Sequence, residues 1–118
     1  MILQSENQLI AVLKTYYMLK VGVLGAGHLG KIHLRLLQQS EKYELVGFFD
    51  PFTENAKKVA EEFGYKLFDS VESLIDAVEV VDIVTPTLSH FECAKQSIEK
   101  GKHIFIEKPI TKTVLEAE

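Results

Sequence analysis

The chain has 118 residues, 47% of them hydrophobic and 25% charged, which fits one compact globular domain better than a disordered or fibrous segment. Cys93 is the single cysteine, so an intrachain disulfide and a cysteine-based metal cluster are excluded and a reducing, cytoplasmic compartment is favoured. A net charge of −4 disfavours nucleic acid and anionic membrane as partners, and no apolar run approaches the roughly 20 residues of a membrane-spanning helix.

Residues 1–17 do not read as a secretory signal, because Glu6 stands where positive charge is expected and Lys14 interrupts the apolar stretch. The pattern is helical. Ser5 and Gln8 have the spacing of a capping box, and Leu9, Ile10, Leu13, Tyr16 and Tyr17 fall on one side. This stretch is expected to be an extension or leader ahead of Met18, with residues 18–118 forming the folded unit.

From Leu19 the hydrophobic period switches repeatedly between short apolar runs and helical spacing, the pattern of successive βα units around a parallel sheet. Five strands are expected, at residues 19–24, 43–49, 65–68, 80–85 and 102–106. Four helices alternate with them. Their apolar faces are Leu29, Ile32, Leu36 and Leu37, then Ala56, Val59, Ala60 and Phe63, then Val71, Leu74, Ile75 and Val78, then Phe91, Ala94 and Ile98. Thr53 and Ser89 are expected as N-caps, with Gly64 and Gly101 as left-handed C-terminal residues. Thr113 and Glu116 have capping-box spacing, so a further helix is expected to begin where the sequence ends.

The first strand runs into Gly25-Ala26-Gly27-His28-Leu29-Gly30, where the first helix opens, and Asp50 follows at the end of the second strand. A bare G-x-G-x-x-G is weak evidence, but this one has the strand, the helix and the downstream acid of a dinucleotide-binding βαβ unit. Gly25 permits the tight turn, Gly27 lets backbone approach a diphosphate, and Gly30 lets helix and strand pack closely. The first-turn amides, including those of His28 and Leu29, then face the anion, so no cationic side chain is needed. Asp50 is expected to accept hydrogen bonds from ribose hydroxyls and to repel a 2′-phosphate. Pro51 follows it and no arginine does, so NAD is favoured over NADP.

A doubly wound sheet places ligands outside the carboxyl ends of its strands. Thr85, Pro86, Thr87, Ser89 and His90 follow the fourth strand, within reach of a nicotinamide ribose, although a histidine in a first helical turn is commonly a surface or capping residue. Glu107, Lys108 and Pro109 follow the fifth. Lys108 there can polarise or deprotonate a substrate hydroxyl if its amine is neutral part of the time or hands its proton on, and Glu107 can orient it. The simpler reading of Glu107 and Lys108 is an exposed charge pair.

These motifs, in this order, resemble the N-terminal domain of the glucose-fructose oxidoreductase/inositol dehydrogenase (Gfo/Idh/MocA) family. The likeness runs from Met18 to the end of the sequence. It implies a Rossmann-type doubly wound α/β domain of about five strands, Lys108 as the catalytic lysine of a Glu-Lys-Pro motif, and Thr85, Pro86 and His90 along the nicotinamide end of the cofactor. Family members continue into an α/β substrate domain with a mainly antiparallel sheet, which binds a sugar or cyclitol and completes proton transfer. None of that domain is in this sequence, so a truncated domain is expected that binds a nicotinamide dinucleotide but is inactive alone.

The parent is thus expected to be an NAD(P)-dependent oxidoreductase acting on a CH–OH group of a sugar, nucleotide sugar or cyclitol. The alternative is an NAD(P)-binding sensor or scaffold without catalysis, and a related reductase such as biliverdin reductase ranks third. Apolar surface left bare by the missing parts is expected to make a homo-oligomer.

Overall fold

A computed structural model describes residues 18–85 and 87–106, together with Ser5, Glu6 and Gln8. The side chains of residues 87–90 lie outside the described set. Among the described residues the order is β1 (Leu19–Leu24), α1 (His28–Gln38), β2 (Tyr43–Phe49), α2 (Thr53–Phe63), α3 (Val71–Ala77), β3 (Val80–Ile83), α4 (Thr87–Glu99) and β4 (His103–Ile106). The strands form one parallel sheet in the order β2-β1-β3-β4.

The expected third strand, residues 65–68, joins the outer edge of β2 through one parallel bridge, Phe48 to Leu67. Phe48 N–H donates to the Lys66 carbonyl at 2.9 Å and Phe68 N–H to the Phe48 carbonyl at 2.8 Å. The ladder stops there because the run is short. Gly64 closes α2 on one side of it and Ser70 opens α3 on the other. Counting this run, the spatial order is that of a dinucleotide-binding doubly wound sheet, third-second-first-fourth-fifth.

β1 is central, and its alternating side chains feed two cores. Val23 packs with Ala26, Leu34, Phe48, Ala56 and Val59 under α1 and α2. Leu24 packs with Leu74, Ile75, Val81, Ile83 and Cys93 under α3 and α4 on the opposite face. Chain reversal between the faces makes a switch point at the carboxyl ends of β1 and β3.

Three local expectations are corrected. Phe52, not Thr53, is the N-cap residue of α2, because Asp50 Oδ1 accepts the Phe52 amide at 2.8 Å and the Phe52 carbonyl then accepts from Ala56 N–H at 2.9 Å. Ser89 lies inside α4, which begins at Thr87 directly after Pro86, a residue with no amide to leave unpaired at a helix start. Leu29, Leu36, Phe63 and Ile98 are exposed. The inward stripe of α1 is Gly30 and Leu34, with Leu37 packed against that core, because the close contact of Gly30 with the loop before it fixes the helix's rotation.

Gly64 and Gly101 have φ of 75° and 74°, as expected of left-handed C-terminal residues. Ser5 Oγ accepts the Gln8 amide at 3.2 Å, half of the expected capping box. Leu9, Ile10, Leu13, Tyr16 and Tyr17 of the expected N-terminal helix, and Thr113 and Glu116, lie outside the described set.

Candidate functional site

The glycine loop sits at the switch point, held from both neighbouring strands. Gly25 N–H donates to the Phe49 carbonyl at 2.8 Å, and Val84 N–H donates to the Leu24 carbonyl at 2.8 Å. Gly25 has a φ of 111°, and a Cβ there would stand 2.8 Å from the Val84 carbonyl carbon and 2.9 Å from Thr85 N. A Cβ on Gly30 would collide with the Gly25 carbonyl. Both glycines are therefore required by the fold itself.

Gly27 differs. Its φ of −72° is open to any residue, and a Cβ there would meet no atom within 4 Å. Nothing in the packing of the described residues calls for glycine at this position. It is the N-cap residue of α1 and supplies no side-chain acceptor, so the first-turn amides of His28, Leu29 and Gly30 have no intrahelical partner. The result is a bare backbone approach to a helix N-terminus, the shape that admits a diphosphate.

Asp50 ends β2 and is buried, with an exposure of 8%. Its Oδ2 accepts the Ala26 amide at 2.6 Å and its Oδ1 the Phe52 amide at 2.8 Å. Each carboxylate oxygen keeps a further lone pair, so these bonds leave capacity for ribose hydroxyls. Asn55 on α2 donates Nδ2–H to the Ala26 carbonyl at 3.0 Å. Ala26 is thus held at both its N–H and its carbonyl, and Asn55 is a loop-positioning residue that the sequence reading passed over. The signal available was a carboxamide one turn into the helix that follows the acid.

Thr85 lies half-buried beside Gly25, two residues past the end of β3. Pro51, His28 and Leu29 are exposed around the loop. The structure therefore brings together Gly25, Gly27, His28, Leu29, Gly30, Asp50, Pro51 and Thr85. Thr87 and His90 open α4 as backbone, with their side chains outside the described set. Pro86, Glu107, Lys108 and Pro109 also lie outside it.

Three titratable groups near this framework were not singled out from the sequence for chemistry. His33 Nδ1 on α1 lies 2.6 Å from Oδ2 of Asp82, a buried β3 residue. Cys93 is buried on α4, and burial pushes its thiol pKa up, against a hydrogen bond with Thr85 that lowers it. Such a thiol is kept protonated and is a poor nucleophile. No group of three metal-ligating side chains occurs among the described residues. No helix among them is long and apolar enough to cross a membrane.

The model of an oxidoreductase family, described as an NAD-binding Rossmann fold, matches residues 19–118. The chain belongs to the Gfo/Idh/MocA oxidoreductase family. It is 40% identical over 104 residues to UDP-N-acetylglucosamine 3-dehydrogenase from Acidithiobacillus ferrooxidans, covering 85% of this chain and 31% of that protein. A solved structure of that enzyme superposes with a TM-score of 0.76, again over 85% of this chain and 33% of the other. Glucose-6-phosphate 3-dehydrogenase from Bacillus subtilis is 38% identical over 100 residues, 85% of this chain and 29% of the enzyme. Biliverdin reductase from Synechocystis, solved with biliverdin and NADP+, is 26% identical with a TM-score of 0.78, over 83% of this chain and 32% of the reductase. The chain spans about a third of the length of the relatives it matches. It is an NAD(P)-binding oxidoreductase domain of a family whose named members act on sugars, nucleotide sugars and inositols.

Proposed function

We propose that this domain serves an NAD-dependent dehydrogenase that oxidises a CH–OH group of a sugar, nucleotide sugar or cyclitol. The observation carrying the cofactor half of this reading is Gly27, a glycine with no atom near its would-be Cβ, beside amides that no side chain caps. Gly25 and Gly30 shape the turn, the amides of His28 and Leu29 face the diphosphate, and Asp50 with Pro51 takes the adenosine ribose. Asp50 supports NAD over NADP, since the carboxylate repels a 2′-phosphate and Pro51, Phe52 and Thr53 supply no cation.

Bound nicotinamide supplies a hydride acceptor or donor at its C4. Thr85, Pro86, Thr87 and His90 line its ribose, and Lys108, oriented by Glu107, takes or returns the proton of the substrate hydroxyl. The support for Lys108 is its Glu-Lys-Pro context in a chain of this family. Residues 18–118 alone bind the dinucleotide and turn over no substrate, because the relatives are about three times as long. The protein works in the cytoplasm, and the domain self-associates through apolar surface such as Phe105 on β4, which is 49% exposed.

Calorimetric titration with NADH, with NADPH and an Asp50→Ala variant alongside, tests the cofactor reading. NADH is expected to bind more tightly than NADPH and to lose affinity in the variant; equal affinity for both cofactors would remove the assigned role of Asp50. Lys108→Met in the full-length protein tests the catalytic reading. Loss of turnover with cofactor binding retained is expected; unchanged turnover would remove the assigned role of Lys108, and absence of turnover in both proteins would favour the sensor.

A further inference from the structure

A second binding feature lies on the outer surface of the α1–α2 layer. His28, Lys31 and Arg35 are spaced three and four residues apart, so they form one stripe along α1. Together with Ile32, Phe63 and Tyr65 they line one cleft. Gly64, at φ 75°, turns the chain between the two aromatics so that their rings stack at 5.8 Å between centroids and 19° between planes. The cleft encloses about 240 Å³. That is just below the roughly 300–1,000 Å³ of sites for drug-sized ligands, so it suits a fragment of one ring and one small polar group.

Two side chains of the cleft, Lys31 and Arg35, carry formal positive charge. Lys31 and Arg35 are like charges at i and i+4, a pairing that costs helix stability. Neither has an acidic partner at ion-pair distance among the described residues, although the chain carries a net charge of −4. Phe63 is a large ring left 49% exposed in the lining of the same cleft. Two cations and two stacked rings lining one cleft complement a ligand with an anionic end and a flat apolar end.

The cleft is separate from the dinucleotide site over most of its length. His28 touches both, but Phe63 closes α2 at the end opposite Asp50 and Phe52, about 16 Å away at helical rise. We propose that this cleft binds a phosphomonoester carrying an aromatic ring, with the phosphate on Lys31 and Arg35 and the ring on Phe63 and Tyr65. This inference does not depend on cofactor binding.

The test is titration of the whole chain with phenyl phosphate, with and without saturating NADH, followed by calorimetry and by amide chemical shifts. Phenyl phosphate is expected to bind in both conditions, about tenfold or more tightly than inorganic phosphate or phenol. The shifts are expected to centre on residues 28–35 and 63–65, which reads the site without any substitution. Lys31→Gln with Arg35→Gln, and separately Phe63→Ala, are expected to weaken binding about tenfold or more while NADH affinity holds. A Gly27→Val variant is expected to lose NADH and keep phenyl phosphate, which separates this proposal from the cofactor reading. Absence of binding, an affinity no better than that of inorganic phosphate, displacement by NADH, or shifts centred elsewhere would overturn it.

Discussion

The Ala26 amide donates to Asp50 Oδ2 at 2.6 Å, so the carboxylate at the end of β2 anchors the glycine loop before any ligand arrives. The same carboxylate accepts the Phe52 amide and so starts α2, whose Asn55 returns to hold the Ala26 carbonyl. One buried acid thereby couples the loop, the strand end and the next helix.

Asp50→Asn keeps the shape but leaves one amide facing a donor instead of an acceptor. A stability loss of about 1–3 kcal/mol is expected, the cost of an unsatisfied buried donor. Urea denaturation measures it. Unchanged stability would mean that the loop holds itself.

Gly30→Ala drives a methyl group into the Gly25 carbonyl, where backbone has to move on both sides. The expected loss is on the order of 3 kcal/mol, the upper end of overpacking costs. A melting curve within a degree of the parent would contradict the close packing of α1 on the loop.

His33 and Asp82 tie α1 to β3 at 2.6 Å on one face of the sheet, with Asp82 only 4% exposed. His33→Ala takes one hydrogen-bond partner from a buried carboxylate, and a loss of about 1–3 kcal/mol is expected. A double-mutant cycle with Asp82→Asn isolates the pair. A coupling energy near zero would show that the contact is incidental.

Cys93 gives a pH dependence with a definite sign. Burial raises its folded pKa above the ordinary 9.0, so the unfolded chain loses this proton first as pH rises. Stability from this group is full below that value and falls above it. Alkylation of the native protein by iodoacetamide is expected to be slow, and Cys93→Ala is expected to flatten the alkaline decline. Rapid alkylation of the folded chain would contradict the burial.

Much of this was legible in the sequence because its signals are local. The alternation of periods fixed the βα order, Gly25, Gly30, Gly64 and Gly101 meet backbone requirements, and Asp50 stands at the strand end where its carboxylate reaches the loop. What escaped depends on packing. The run at 65–68 has strand composition, yet its extent is set by the caps on either side of it. Leu29 and Leu36 match a helical face, but Gly30 against Gly25 rotates α1 so that Leu34 is buried instead. Asn55, His33 and Asp82 act through partners 29 and 49 residues away, which periodicity cannot see.

The central claim is that Gly27 is glycine for a ligand and not for the fold. The direct measurement is NADH titration of the parent chain and Gly27→Val, with thermal melts of both. The expected result is a folded variant with a stability loss of about 1 kcal/mol, the cost of a poor N-cap residue, and NADH affinity lost by about tenfold or more. NADH binding equally well to both chains would contradict the claim, as would a variant that unfolds.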